Sequence, residues 1–166
     1  RGGHDPNLAA GPVMTPAQTV FARATRRFDA PADRVFDAWL DPAKIRDWFG
    51  PGLGPMVRID VEPRVGGRFS WVQRRGDKDV EHVGEFLELN PPRRLAFTFA
   101  VPPDPTSKVT VDLVERNTTR ASSSTAAGVA MCEVTVTHEI PSEWAAFVPK
   151  SVEAWSKMLD AMARTV

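Results

Sequence analysis

The segment "SEWAAFVPKSVEAWSKMLDAMARTV", residues 142–166, decides the fold, because here the spacing of apolar residues becomes that of a helix. Apolar residues recur every three or four positions, at Val152, Trp155, Met158, Leu159 and Met162. This spacing predicts an amphipathic helix, the longest of the chain. An interior proline removes a backbone hydrogen bond, so Pro149 predicts a kink or break near Lys150. Such a helix must bury its apolar face against another layer.

The segments before this helix alternate apolar and polar residues, which is typical of strands with one buried face. The first such segment is "TVFARATRRFD", residues 19–29. The others follow between Met56 and His138 as "MVRIDVEP", "GGRFSWVQ", "EHVGEFLELN", "RRLAFTFAV", "KVTVDLVE" and "MCEVTVTHE". In "MVRIDVEP" the alternation places Val57 on the packed face. These segments predict an antiparallel sheet, in which residues 117–128 form a mobile loop.

Two short helices are predicted between the first strand and the rest of the sheet. The second begins in "DPAKIRDWFGPG", residues 41–52, and stops at the glycines and proline that follow Phe49. We interpret Phe49 as a core residue and Trp48 as a residue at the lip of an opening. The order of elements predicts an α+β fold: an antiparallel sheet of about six or seven strands, two short helices after the first strand, and the long C-terminal helix across the sheet.

Composition limits the classes of function. A chain of 166 residues fits one domain, which we place at 19–166, with 1–18 as a flexible leader that could be an addition to the natural chain. Lys plus Arg and Asp plus Glu number 21 each, which disfavours nucleic acid as a partner, and no apolar run predicts membrane insertion. The single Cys132 cannot form an internal disulfide, which favours the cytoplasm.

Several separated stretches, in order, resemble the START-like, helix-grip superfamily, and within it the family of the activator of heat-shock protein 90 ATPase homologues. The matching stretches are "RRFDAPADRVFDAWLDPAKIRDWFGP" (26–51), "VEPRVGGRFSW" (61–71), "GEFLELNPPRRLAFTF" (84–99), "VTVDLVE" (109–115) and "VTVTHE" (134–139), with Trp155. The resemblance implies a curved sheet that grips the C-terminal helix around a hydrophobic cavity. The superfamily includes lipid carriers, hormone receptors, polyketide cyclases, self-resistance proteins and co-chaperone domains, so the fold alone does not set the activity.

The candidate ligand-binding residues are mostly aromatic side chains that alternation and helical spacing direct toward this cavity. They are Trp39, Trp48, Phe49, Phe69, Trp71, His82, Phe86, Phe97, Phe99, Val111, Val136, His138, Trp155 and Met158. Polar groups that could orient a ligand are His82, His138, Ser70 or Gln73, and Asp112. Any single aromatic residue is more simply a core residue, but their number favours a pocket.

His82 and His138 are the candidate catalytic residues, because an imidazole in a dry cavity can move a proton. Each is more simply a histidine hydrogen-bonded within a strand. The nearby Glu81, Glu85 and Glu139 fall on the opposite face by alternation, which weakens the catalytic interpretation. No spacing of ligands indicates a metal site, no cofactor is expected, and Cys132 is interpreted as a small buried residue.

Three functions follow in order of preference. The first is binding of a small hydrophobic or aromatic molecule between the sheet and the C-terminal helix. The second is a polyketide cyclase-like or hydrolase-like enzyme that uses a cavity histidine. The third is an interaction module for a chaperone partner, heat-shock protein 90, in a stress response. The oligomeric state stays open, with a homodimer among the alternatives.

Overall fold

The sheet of this protein consists of strands along which buried and exposed residues alternate. The computed structural model describes residues 18–118 and 129–166. Residues 1–17 of the predicted leader and most of the predicted loop at 117–128 lie outside the described residues. The elements in chain order are β1 (Thr19–Phe28), α1 (Ala32–Ala38), α2 (Pro42–Trp48), β2 (Met56–Val61), β3 (Arg68–Arg75), β4 (Lys78–Asn90), β5 (Arg94–Phe99), β6 (Ser107–Thr118), β7 (Val129–Pro141), a 3₁₀ helix (Ser142–Phe147) and α3 (Val148–Ala163).

The seven strands form one antiparallel sheet in the order β1-β7-β6-β5-β4-β3-β2. On β7 every second residue from Cys132 to Ile140 is buried. Side chains of a strand alternate between the two faces, so these residues define the inner face of the sheet. His138 lies on this face with Val134 and Val136, as the sequence predicted.

The helix α3 covers the inner face. Trp155, Leu159 and Met162 on α3 are buried in the same hydrophobic core as residues of the sheet and of α1 and α2. The three helices and the seven-stranded sheet confirm the predicted α+β, helix-grip architecture. Within the described residues, none of the helices has the length and the apolar composition needed to cross a membrane.

Two local predictions need correction. Pro149 lies in the first turn of α3, where its missing N–H is tolerated, so it does not kink the helix at Lys150. The irregularity lies upstream, where Trp144 in the 3₁₀ helix has non-helical backbone angles. On β2 a register shift after Met56 buries that residue and exposes Val57, which the alternation had placed on the packed face.

Candidate functional site

The space between the sheet and α3 is filled by a group of aromatic side chains that we call the aromatic core. Its members are Trp39, Trp48, Phe49, Phe69, Trp71, Phe86, Phe97, Phe99 and Trp155. The rings contact one another directly: the centroids of Phe69 and Trp71 lie 4.4 Å apart, and those of Trp39 and Trp48 lie 4.8 Å apart. The predicted residues Val111, Val136 and Met158 belong to the same core.

Trp48 is a core residue, which corrects its assignment to a lip. Its side chain is 0% exposed, against 5% for Phe49. The indole Nε1–H of Trp48 donates a 2.8 Å hydrogen bond to the carbonyl of Ala38, at the end of α1. The last carbonyls of a helix have no partner within the helix. By donating to the Ala38 carbonyl, Trp48 on α2 satisfies one of them and connects α2 to α1.

His138 connects α3 to the sheet through directed hydrogen bonds. Trp155 Nε1–H donates to His138 Nδ1 over 3.2 Å, so this nitrogen carries no proton. His138 Nε2–H then donates to Ser107 Oγ over 2.6 Å, and the Ser107 hydroxyl donates to the carbonyl of Phe99 over 2.9 Å. Ser151 Oγ lies 3.4 Å from His138 Nδ1. Both ring nitrogens of His138 are thus occupied in the neutral tautomer.

His82, on β4, is occupied in a similar way and lies on the same inner face of the sheet. Its Nδ1 lies 3.1 Å from the carbonyl of Trp71, which fixes the proton on Nδ1. Its Nε2 lies 3.5 Å from a guanidinium nitrogen of Arg75, a long contact in which only the arginine can donate. The ring of His82 also packs against Phe49 and Phe99, with centroids 4.7 Å and 5.7 Å apart.

Both histidines are kept neutral by their surroundings. Burial lowers the pKa of His138 to about 4. Burial also lowers the pKa of His82 to about 4, against the bond to the Trp71 carbonyl, and the charge of Arg75 adds to the lowering. A general base needs a free nitrogen and a pKa near the working pH. Neither histidine meets these conditions in this arrangement, so the geometry favours structural roles.

The other predicted polar groups divide between the two faces of the sheet. Ser70 bonds to Glu81, and Asp112 pairs with Arg94 at 3.5 Å, so both lie on the outer face and cannot orient a ligand in the core. Gln73 is buried, and it holds the loop after α2. Its Nε2 donates to the carbonyls of Gly50 and Gly54, each over 2.9 Å, and its Oε1 accepts from Arg75 Nε over 2.9 Å.

The chemistry of the remaining groups is limited. Within residues 18–118 and 129–166, no cluster of His, Cys, Asp or Glu could hold a metal ion. Cys132 is buried, and burial raises the pKa of its thiol to about 11. At neutral pH the thiol is protonated, and a protonated thiol is a poor nucleophile.

An open pocket of about 170 Å³ lies beside the aromatic core, between the ends of β5, β6 and β7 and the start of α3. We call it the end pocket. It is lined by Phe99, Ala100, Val101, Asp104, Pro105, Ser107, His138, Ile140, Pro141, Trp144, Phe147 and Ser151. The rings of Trp144 and Phe147 contact each other with centroids 5.1 Å apart and planes tilted by 36°, and Phe147 is 47% exposed. The 3₁₀ helix that carries this pair buries none of its residues, so it covers the pocket loosely.

Of the predicted ligand-binding residues, Phe99 and His138 line the end pocket, whereas the others pack behind them. Sequence reasoning missed Ser107, Ser151, Trp144 and Phe147 as pocket residues. The signal that could have indicated pocket residues is the aromatic pair Trp144 and Phe147, which lie three residues apart just before Pro149. The serines carried no signal, because only the tertiary fold brings them to His138.

Comparison with known proteins agrees with this architecture. A protein from Chromobacterium violaceum is 24% identical, with 89% of this chain and 97% of that chain covered and a TM-score of 0.68. CalU16 from Micromonospora echinospora is 23% identical, with coverages of 88% and 84% and a TM-score of 0.59. A protein of unknown function from Staphylococcus aureus is 14% identical, with coverages of 89% and 93% and a TM-score of 0.69. At these identities the likeness shows the fold.

A search of curated proteins finds no match. The family model described as "Activator of Hsp90 ATPase homolog 1-like protein" matches residues 29–166. The match includes α1, α2, the strands from β2 to β7 and the C-terminal helix, and so most of the aromatic core and the end pocket. On this match, which covers well over half of the sequence, the chain belongs to the Activator of Hsp90 ATPase homolog 1-like family.

Proposed function

We propose that the protein binds a small hydrophobic molecule, about the size of one aromatic ring, in the end pocket between the sheet and α3. The observation that carries this proposal is the pocket itself, whose mostly apolar walls include a few polar groups from Asp104, Ser107, His138 and Ser151. Ligand sites in proteins have this composition. The family's description and the fold are compatible with binding but do not name a ligand.

The size of the end pocket sets the size of the ligand. Drug-sized ligands occupy roughly 300–1,000 Å³, whereas an apolar cavity of about 150 Å³ suffices for benzene. At about 170 Å³ the end pocket takes a single ring. A longer molecule would have to displace Phe99, which forms the wall toward the aromatic core and is only partly buried.

Titration with toluene tests the proposal, because Trp144 lines the pocket and reports binding through its fluorescence. Ser151→Phe would fill the pocket from α3. Ser156→Phe is the matched control, because Ser156 lies on the exposed side of the same helix, where its hydroxyl bonds to the carbonyl of Val152. We expect saturable binding by the wild type and by Ser156→Phe, and affinity at least about tenfold weaker in Ser151→Phe. Equal affinity in all three proteins, or no saturation, would reject the end pocket as a site.

The occupied nitrogens and low pKa values of His82 and His138 disfavour the enzymatic alternative. An interaction with heat-shock protein 90 stays a prediction that a binding assay with the purified chaperone can test. We propose a cytoplasmic location on the basis of the single buried Cys132.

A further inference from the structure

The end pocket carries a negative charge at its rim. Of the described residues that line it, Asp104 is the one with an ionised side chain at neutral pH, and no lysine or arginine is among them. The other titratable group in the lining is His138, whose pKa of about 4 keeps it neutral, so it does not repel a cation. The side chain of Asp104 is exposed to solvent. The pocket therefore combines mostly apolar walls with one carboxylate that water can reach.

The carboxylate of Asp104 has no ion pair in the part of the chain that the structure describes. Lys108, the lysine nearest to it along the chain, instead pairs with Glu139 over 3.8 Å. Glu143 and Lys150, in the two helices that follow β7, carry opposite charges, so together they do not change the sign of the charge. Asp104 is thus available to a cation from outside the chain.

The loop between β5 and β6 holds Asp104 in place. The backbone N–H of Asp104 donates to the carbonyl of Val101 over 2.9 Å. The ring of a proline fixes φ, and three residues of this loop are prolines, namely Pro102, Pro103 and Pro105. A group on a restricted loop loses little conformational entropy when it binds a ligand.

The polar side chains inside the pocket have acceptor capacity to spare. Ser107 donates its hydroxyl hydrogen to the Phe99 carbonyl and accepts from His138, which leaves one of its two lone pairs free. Ser151 lies 3.4 Å from His138 Nδ1, a nitrogen whose lone pair Trp155 already uses. Both lone pairs of the Ser151 oxygen are therefore free to accept.

The exposed aromatic pair of the 3₁₀ helix adds a further attraction for a cation. Trp144 and Phe147 line the same pocket as Asp104, and the faces of aromatic rings carry negative partial charge. The indole N–H of Trp144 is a donor, but a donor on one edge leaves the ring face available. Carboxylate, serine oxygens and ring faces together suit a positively charged group that donates hydrogen bonds.

We propose that the end pocket binds a ring-sized molecule that carries a protonated amine, with its ring against the apolar walls and its ammonium group at the rim beside Asp104. This inference rests on the proposed function and adds the chemical class of the ligand. The ammonium group stays in contact with water, so its binding does not require the full desolvation of a charge. A ligand with a carboxylate is disfavoured, because it would place a like charge beside Asp104.

Benzylamine and benzyl alcohol form the matched probe pair, because they have nearly the same size and only benzylamine is charged at pH 7. Calorimetry measures the affinity of both for the wild type, Asp104→Asn and the control Asp112→Asn. The control removes the same charge from the outer face of the sheet, where Arg94 keeps Glu88 as a partner.

We expect the wild type to bind benzylamine about three- to tenfold more tightly than benzyl alcohol at low salt, as an exposed ion pair and a cation–π contact predict. Asp104→Asn should lower this ratio about two- to fivefold, while its affinity for benzyl alcohol stays within about twofold of the wild type. Asp112→Asn should keep the wild-type ratio. Salt at about 0.5 M should lower the ratio in the wild type, because it screens exposed charges.

The outcomes separate this inference from the proposed function. If benzylamine, benzyl alcohol and toluene all fail to bind the wild type, the proposed function fails. If toluene or benzyl alcohol binds and benzylamine binds no more tightly, the ligand class is wrong while binding stands. The ligand class is also wrong if Asp104→Asn leaves the ratio of affinities unchanged, or if Asp112→Asn lowers it as much as Asp104→Asn does.

Discussion

Acidification from pH 7.5 to pH 5 should destabilise this protein through His82 and His138. Each has a pKa of about 4 in the folded protein, against 6.5 for an ordinary histidine. The unfolded chain therefore binds more protons between these values, and the free energy of unfolding rises with pH in this window. The stabilisation is complete above pH 6.5 and is lost as the pH falls toward 4.

The size of the loss follows from the two pKa values. At pH 5 an unfolded histidine is almost fully protonated and a folded one is almost neutral, which amounts to about 2 kcal/mol for each histidine relative to pH 7.5. The two together remove about 4 kcal/mol, a large share of the roughly 5–15 kcal/mol that stabilises a typical domain. Pairing with Arg74 and Lys157 lowers the pKa values of Asp79 and Glu153, so these carboxylates stay largely ionised at pH 5.

Urea unfolding at several pH values between 7.5 and 5 measures this dependence. Glutamine replaces imidazole by a neutral amide, so His82→Gln and His138→Gln should each be less stable at pH 7.5 but lose about half of the pH dependence. The two single variants serve as controls for each other. A wild-type free energy of unfolding that changes by less than about 1 kcal/mol between pH 7.5 and 5 would refute the reasoning. So would single variants that keep the full dependence.

Three further predictions concern stability and reactivity. Trp48→Phe should lower the free energy of unfolding by about 1–3 kcal/mol more than Trp39→Phe in urea titrations, because only Trp48 has an indole hydrogen bond to lose, to Ala38. Gln73→Leu should leave two glycine carbonyls of the loop after α2 without a donor, and limited proteolysis should then cut that loop faster than in the wild type. Cys132, with a thiol pKa raised to about 11, should not react with a thiol reagent at pH 8 until urea unfolds the protein; a fast native reaction would contradict its burial.

Much of the fold could be predicted from the sequence because burial on one face leaves a periodic pattern. The inner face of β7 and the buried face of α3 both follow from spacing alone. Pro149 shows where this reasoning stops, because a proline is unfavourable inside a helix and favourable in its first turn, and only the true start of the helix separates the two cases. The start depends on how the 3₁₀ helix leaves β7, which is a tertiary feature.

The candidate site was harder to predict, because a pattern gives the face of a residue but not its neighbours. Alternation correctly placed His82 and His138 on the inner face, and it would also have placed Asp112 outside, between the buried Val111 and Leu113. Alternation could not show that the ring nitrogens of both histidines are hydrogen-bonded to partners within the protein. Likewise, "DWFGPG" suggested an opening beside Trp48, whereas Gln73 reaches across from β3 to close that loop. Gly50 has a φ of +52°, a conformation that favours glycine, and a Cβ there would also displace the Gln73 amide.

Most of the polar side chains in the interior are committed to partners within the chain. Gln73, His82 and His138 each commit their polar atoms to the backbone or to neighbouring side chains, and so does Trp48. In the part of the chain that the structure describes, the buried side-chain capacity that stays free consists of two donors. The committed groups join strands and helices around the aromatic core, so their hydrogen bonds stabilise the fold.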